Sequence, residues 1–224
     1  MKSRITLHVS RLFSRRNLLG TLLVLAAMAT MARLGVWQLD RLAQRRARNA
    51  ETLRQLNLPP LDLNAGLPAA GADLKNRQAV AAGQYDFPRT IALKAQLWQD
   101  VAGLHLLTPF VLEGSGRAVL VDRGWIPYSE ADPAHWPQFG TSGVRAVSGR
   151  LQVPKSQISN LKSQISNPQS EWYSVDVAAI QGQMPYELLP VYLELAPDAR
   201  SQIDLPYRAE RDYELDDGPH LGYA

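Results

Sequence analysis

Residues 103–127 read GLHLLTPFVLEGSGRAVLVDRGWIP, and this stretch decides the fold. Two apolar runs, 104–112 and 118–121, flank the connector Glu113-Gly114-Ser115-Gly116-Arg117. Apolar run, glycine-rich connector, apolar run predicts a β-hairpin closed by a loop of a few residues. The second arm ends in Asp122-Arg123-Gly124-Trp125-Ile126-Pro127, where the proline cannot donate to a ladder. This is the most apolar part of the chain outside its N-terminal segment, so the hairpin is expected at the centre of a sheet. Asp122 and Arg123 are expected as a structural ion pair at the strand end, and Trp125 as core.

Outward from the hairpin, residues 77–84 and 90–98 are candidate strands, with turn chemistry in Gly83-Gln84-Tyr85-Asp86-Phe87-Pro88-Arg89 between them. Residues 62–72 read as a connector and 129–143, around Trp136, as a polar loop. Strand character returns at 144–153 and ends at Pro154. Residues 174–183 fit a short helix with Ser174 as cap and Asp176 in its first turn. Residues 188–195 read as a strand interrupted by Pro190, and 207–217 as an acidic tail. The hexapeptide KSQISN occurs at 155–160 and again at 162–167, so 155–170 reads as a duplicated surface loop without function. Short strands with frequent turns predict a mainly β domain over 61–217, a barrel or sandwich with accessory helices.

The N-terminal segment differs in kind. After a basic tail, 1–17, residues 18–32 carry no charge, and extension to Leu39 gives a helix of about 33 Å, enough to cross a bilayer. Arg33 can snorkel to the far interface, and Trp37 falls where an aromatic anchor belongs. Ser14-Arg15-Arg16 followed by Ala27-Met28-Ala29 also suits an export signal with a cleavage site. The apolar character that resumes at Leu34 favours a retained transmembrane helix, 18–39, over cleavage. Residues 40–60 continue as a juxtamembrane helix whose Arg45, Arg46 and Arg48 would meet lipid headgroups, until Pro59-Pro60 stops it. The basic tail leans towards an inside N-terminus and an exported domain.

The pI of about 9.3 invites a polyanion partner until the charges are located. Residues 1–54 hold 11 of the 24 Lys and Arg and only Asp40 and Glu51, whereas 55–224 hold 13 basic and 19 acidic residues. The domain is therefore acidic, which argues against nucleic acid. The absence of cysteine excludes disulfides and thiolate metal sites. No nucleophile elbow, zinc-protease helix, phosphate loop or dinucleotide fingerprint is present, so no residue is assigned as catalytic. The four histidines, His8, His105, His135 and His220, are widely spaced, so no metal-ligand pair is visible at i, i+3 or i, i+4. His105 is expected as a strand histidine bonded to a neighbour, and His8 and His135 as solvated. An exported hydrolase using His105 and Asp122 would need favourable strand pairing and a nucleophile that no local motif marks.

Five motifs occur in order: LGVWQLDRLAQRRA at 34–47, GQYD at 83–86, GLHLLTPF at 103–110, VLVDRGWIP at 119–127 and PHLGYA at 219–224. Together they resemble the Surfeit locus protein 1 family over roughly the whole chain from Leu34, apart from the duplicated loop. The resemblance implies a non-enzymatic cytochrome c oxidase assembly factor in the plasma membrane, with its domain on the extracytoplasmic side. It implies haem a as a transient cofactor, His220 as its ligand, and oxidase subunit I as partner, with haem a synthase and membrane lipids as further contacts. Residues 218–224 would then open a second transmembrane helix, truncated here. Trp37, Gly103, His105, Pro109, Arg123, Gly124, Trp125 and Tyr223 occupy family-motif positions without an assigned role. The alternative is a membrane-anchored scaffold that contacts oxidase subunits without binding haem.

Overall fold

The predicted hairpin forms in the middle of an eight-stranded sheet. The structure, a computed structural model, describes residues 18–68, 72–140, 143, 145–154, 171–213 and 215–216. The duplicated loop, His8, His220 and Tyr223 lie outside these. In chain order the elements are α1 (Leu18–Asn57), β1 (Leu61–Asp62), β2 (Gln78–Tyr85), β3 (Ile91–Trp98), β4 (Val101–Leu112), β5 (Ala118–Pro127), β6 (Arg145–Gln152), β7 (Glu171–Trp172), α2 (Val177–Gln181) and β8 (Leu188–Leu195). Contacts divide the chain into two units, Met1–Glu51 with Glu214–Ala224, and Thr52–Tyr213.

In the first unit α1 is an unbroken helix, long and apolar enough to cross a membrane. The Arg41 guanidinium lies 5.6 Å from the centre of the Trp37 ring. Arg45 forms an ion pair with Asp216. Asn49 donates to the Leu215 and Asp216 carbonyls at 3.0 Å each.

In the second unit five strands close into a barrel in the order β2-β6-β8-β5-β4, and β4 returns to pair with β2. Closure, which removes the free sheet edge, makes this a barrel and not a sandwich. It depends on β4 changing partners. One edge of β4 pairs with β5 along its length, whereas the other pairs with β3 through Leu107 and with β2 from Phe110 onward. The change falls at Thr108 and Pro109. The Pro109 carbonyl accepts from Asp86 N at 2.9 Å, so the missing Pro109 donor lies on the edge where no regular ladder continues. Behind it the Thr90 and Thr108 hydroxyls bond at 2.9 Å, out of solvent.

The barrel interior holds Phe110, Val119, Val121, Leu151 and Leu193, all fully buried. On the opposite face of β5, Ala118 and Leu120 pack with Val177 and Ile180 of α2. β5 is thus buried on both sides, which is why its sequence is a continuous apolar run and not an alternation.

Several expectations change. The connector at 62–72 contributes Leu63, which is fully buried in the barrel core, and β1 pairs with β2. The loop at 129–143 contains 3-10 turns at Tyr128–Glu130 and Pro133–Phe139, seating Trp136 against Leu104, Leu106 and Ile126. α2 is capped by Asp176, whose carboxylate accepts from Ala179 N, and not by Ser174. β8 runs through Pro190, because a register shift against β5 between Ala118 and Leu120 leaves no ladder bond for that residue to break.

Gly124 has φ +116, and a Cβ there would sit 2.5 Å from the Tyr207 carbonyl oxygen. Gly124→Ala is expected to cost about 1–3 kcal/mol from backbone strain alone, and Gly124→Glu more, because a charge enters a buried strand end. Thermal unfolding of both variants checks this: each melts below the parent, the glutamate variant lower.

Candidate functional site

The second arm of the hairpin places the side chains of Asp122, Arg123 and Trp125 in three different environments, and a β-bulge does the sorting. His105 pairs with Trp125 and Leu107 with Asp122, so Leu106 alone faces both Arg123 and Gly124. The extra residue, with Gly124 at positive φ, turns the strand locally.

Asp122 points to His105, whose Nδ1 lies 3.0 and 2.8 Å from its two carboxylate oxygens. Gly124 N also donates to Asp122 Oδ1 at 3.0 Å, so the bulge itself holds the carboxylate. Asp122 and Arg123 are not an ion pair. Adjacent strand residues point to opposite faces, and Asp122 spends its charge on the histidine. Burial, the largest influence on His105, opposes its protonation. The charge and hydrogen bond of Asp122, with the charge of Glu194, outweigh it and hold the imidazole pKa above its usual 6.5. Glu194 is itself raised by burial, with Arg211 opposing through an ion pair at 2.9 Å. The His105–Asp122 couple matches the base and orienting acid of a hydrolytic triad. Among the described residues the His105 ring bonds to Asp122 alone, and no hydroxyl nucleophile joins the couple.

Arg123, 7% exposed, goes the other way. Its guanidinium lies 5.0 Å from the Phe87 ring centre and 5.5 Å from that of Tyr85, and it donates to the Phe139 carbonyl. It lines a cavity of about 330 Å³ together with Arg145, Arg208 and Asp198. Burial raises the Tyr85 phenol pKa, against the charges of Arg123, Arg208 and Arg145. A larger cavity of about 820 Å³, among Phe87, Pro133, Trp136 and Met184, has Arg89 as its one charged wall, and Arg89 is paired with Asp86.

Trp125 is core, as expected, but in a stack. Its ring lies parallel to Tyr207 at 6.0 Å, and Trp98 lies 6.4 Å from Trp125 and 5.5 Å from Tyr207. Gly103 lets Trp125 lie flat on β4, because a Cβ there would come within 2.5 Å of the indole. A backbone bridge between Trp125 and Tyr207 fixes the third ring.

Gly103, His105, Arg123, Gly124 and Trp125 therefore converge on one bulge, and Pro109 sits at the partner change of the same strand. Trp37 belongs to the helical unit. Sequence reading singled out neither Arg145, Arg208 nor Glu194 for a site. Each comes from a distant segment, and Arg208 lies in the stretch 207–217 read as an acidic tail.

By fold and site this is a helix-led β-barrel protein whose described polar groups bind and position one another around a bulge. Residues 25–224 match the model of the SURF1 family, and the chain belongs to that family. It is 26% identical over 175 residues to a SURF1-like protein of Monosiga brevicollis, covering 72% of this chain and 64% of that protein. A SURF1-like protein of Caenorhabditis briggsae is 24% identical over 79% of this chain and 61% of its own length. The cytochrome oxidase assembly protein SHY1 of Saccharomyces cerevisiae is 25% identical over 55% of this chain and 31% of its own. The chain thus spans less than two thirds of the length of these relatives.

A raised folded-state pKa means that His105 binds its proton more tightly in the folded than in the unfolded protein. The stability it contributes is complete below pH 6.5 and is lost as pH rises through the folded value. The NMR titration midpoint of His105 is expected above 6.5 in the parent and lower in Asp122→Asn. The stability gap between the two proteins should narrow from pH 6 to pH 8.

Proposed function

We propose that this chain assists the assembly of cytochrome c oxidase. The observation that carries the reading is family membership over residues 25–224, together with a yeast relative named for cytochrome oxidase assembly. In this reading α1 holds the protein in the plasma membrane, the barrel lies on the extracytoplasmic side, and subunit I is the partner, with haem a synthase and lipids as further contacts. The role is one of binding and not of catalysis.

The finer part of the proposal is haem a insertion with His220 as ligand. The described residues do not themselves fit a haem site. His105 turns Nδ1 to Asp122, His135 turns Nδ1 to Glu130 at 3.1 Å, and neither lines the two cavities described above. The haem reading therefore rests on the sequence motif around His220, a residue outside the described set. A neutral imidazole there would supply a nitrogen ligand to the iron.

Detergent-purified protein from cells that make haem a is expected to carry Soret absorbance and to co-purify with subunit I. His220→Ala is expected to remove the absorbance. Co-purification without haem in either form would replace haem handling with a scaffold role. Neither haem nor subunit I would contradict the proposal.

A further inference from the structure

The cavity beside Arg123 has a charge arrangement that packing does not require. Its floor is a guanidinium 7% exposed, and among the described residues no carboxylate pairs with it. Burying an unpaired cation is costly. The faces of Tyr85 and Phe87 and the Phe139 carbonyl offset part of that cost and leave the positive charge in place. A structural explanation accounts for one arginine: Arg123 ties the 3-10 segment ending at Phe139 to the barrel. It does not account for Arg145 or for the unpartnered Nε of Arg208.

Arg208 enters the same cavity from the segment after Tyr207. Its Nη2 pairs with Asp198 at 2.7 Å, while its Nε is buried without a hydrogen-bond partner among the described residues. Arg145, at the exposed start of β6, supplies a third cation to the wall. Three arginines thus face one acid, Asp198, whose side chain is 61% exposed. All three cations bear on the Tyr85 hydroxyl. The domain around them carries more acid than base, so this local excess runs against the background.

We propose that this cavity binds an oxyanion, a carboxylate or phosphate group, with Arg123 at its base and Arg145 and Arg208 at its sides. A planar guanidinium presents paired donors that match two oxygens of either group, which an ammonium would not. At about 330 Å³ the cavity suits a small molecule or a headgroup. Free Arg208 Nε would gain an acceptor, and the bound anion would neutralise the charge that Arg123 keeps buried. The proposal uses neither the His105–Asp122 couple nor His220, and it holds whether or not the chain handles haem.

The test uses the full chain in neutral detergent at fixed ionic strength, with chloride as reference. Titrants are inorganic phosphate, succinate and dioctanoyl phosphatidylglycerol, followed by calorimetry and thermal shift. Saturable binding is expected, weakened about tenfold or more by Arg145→Gln, a loss in line with one charge-assisted hydrogen bond. Arg145 lies at an exposed strand end, so that variant is expected to melt like the parent without ligand. Arg117→Gln, the same charge change in the β4–β5 turn, is expected to leave affinity unchanged. Binding of the soluble ions assigns a small free anion, and binding of the lipid alone assigns a headgroup. No saturable binding of any titrant, or equal weakening by Arg117→Gln, overturns the proposal.

Discussion

One extra residue in β5 organises the barrel's chemistry. With Arg123 and Gly124 both set against Leu106, the strand cannot continue its alternation, and the positive φ of Gly124 absorbs the mismatch. Asp122 before the bulge turns to His105, Arg123 within it turns to the Tyr85 and Phe87 rings, and Trp125 after it joins a three-ring cluster with Trp98 and Tyr207. A regular strand would alternate Asp122, Arg123, Gly124 and Trp125 between two faces only. The hydrogen bond from Gly124 N to Asp122 then closes the bulge on the carboxylate it has redirected. Geometry and charge are therefore set by the same few atoms.

The bulge works because the hairpin around it is rigid. Val119 and Val121 fill the barrel while Ala118 and Leu120 meet α2, so β5 is clamped on both faces. β4 is held by β5 on one edge and by β3, then β2, on the other, with Pro109 marking the exchange. Burying each large side chain of this kind stabilises the fold by roughly 1.5–3 kcal/mol. That support lets the chain tolerate a strained glycine and a buried arginine next to each other.

The hairpin was legible in sequence because its apolar runs are contiguous and its connector carries two glycines. The bulge was not: nothing in Asp-Arg-Gly-Trp says that the pair Asp122-Arg123 will part and serve opposite faces. The bond between His105 and Asp122 follows from a register that sequence spacing leaves open. Arg145 and Arg208 join Arg123 only through long-range strand order, so no local motif marks the cavity. Local competition explains the smaller differences, as where Asp176 caps α2 ahead of Ser174, and where a register shift lets β8 pass Pro190. Three of the five motifs, at 83–86, 103–110 and 119–127, lie on the strands that form the bulge and close the barrel. His220 and Tyr223 belong to the part of that pattern outside the described residues.

The claim that most needs testing is that this member of the SURF1 family serves oxidase assembly. The direct measurement is the reduced-minus-oxidised spectrum of membranes from cells with the gene deleted and then restored. The account predicts that the haem a band of the oxidase falls on deletion and returns with the parent gene, while cytochromes b stay constant. An unchanged haem a band after deletion, with normal oxidase activity, would contradict it.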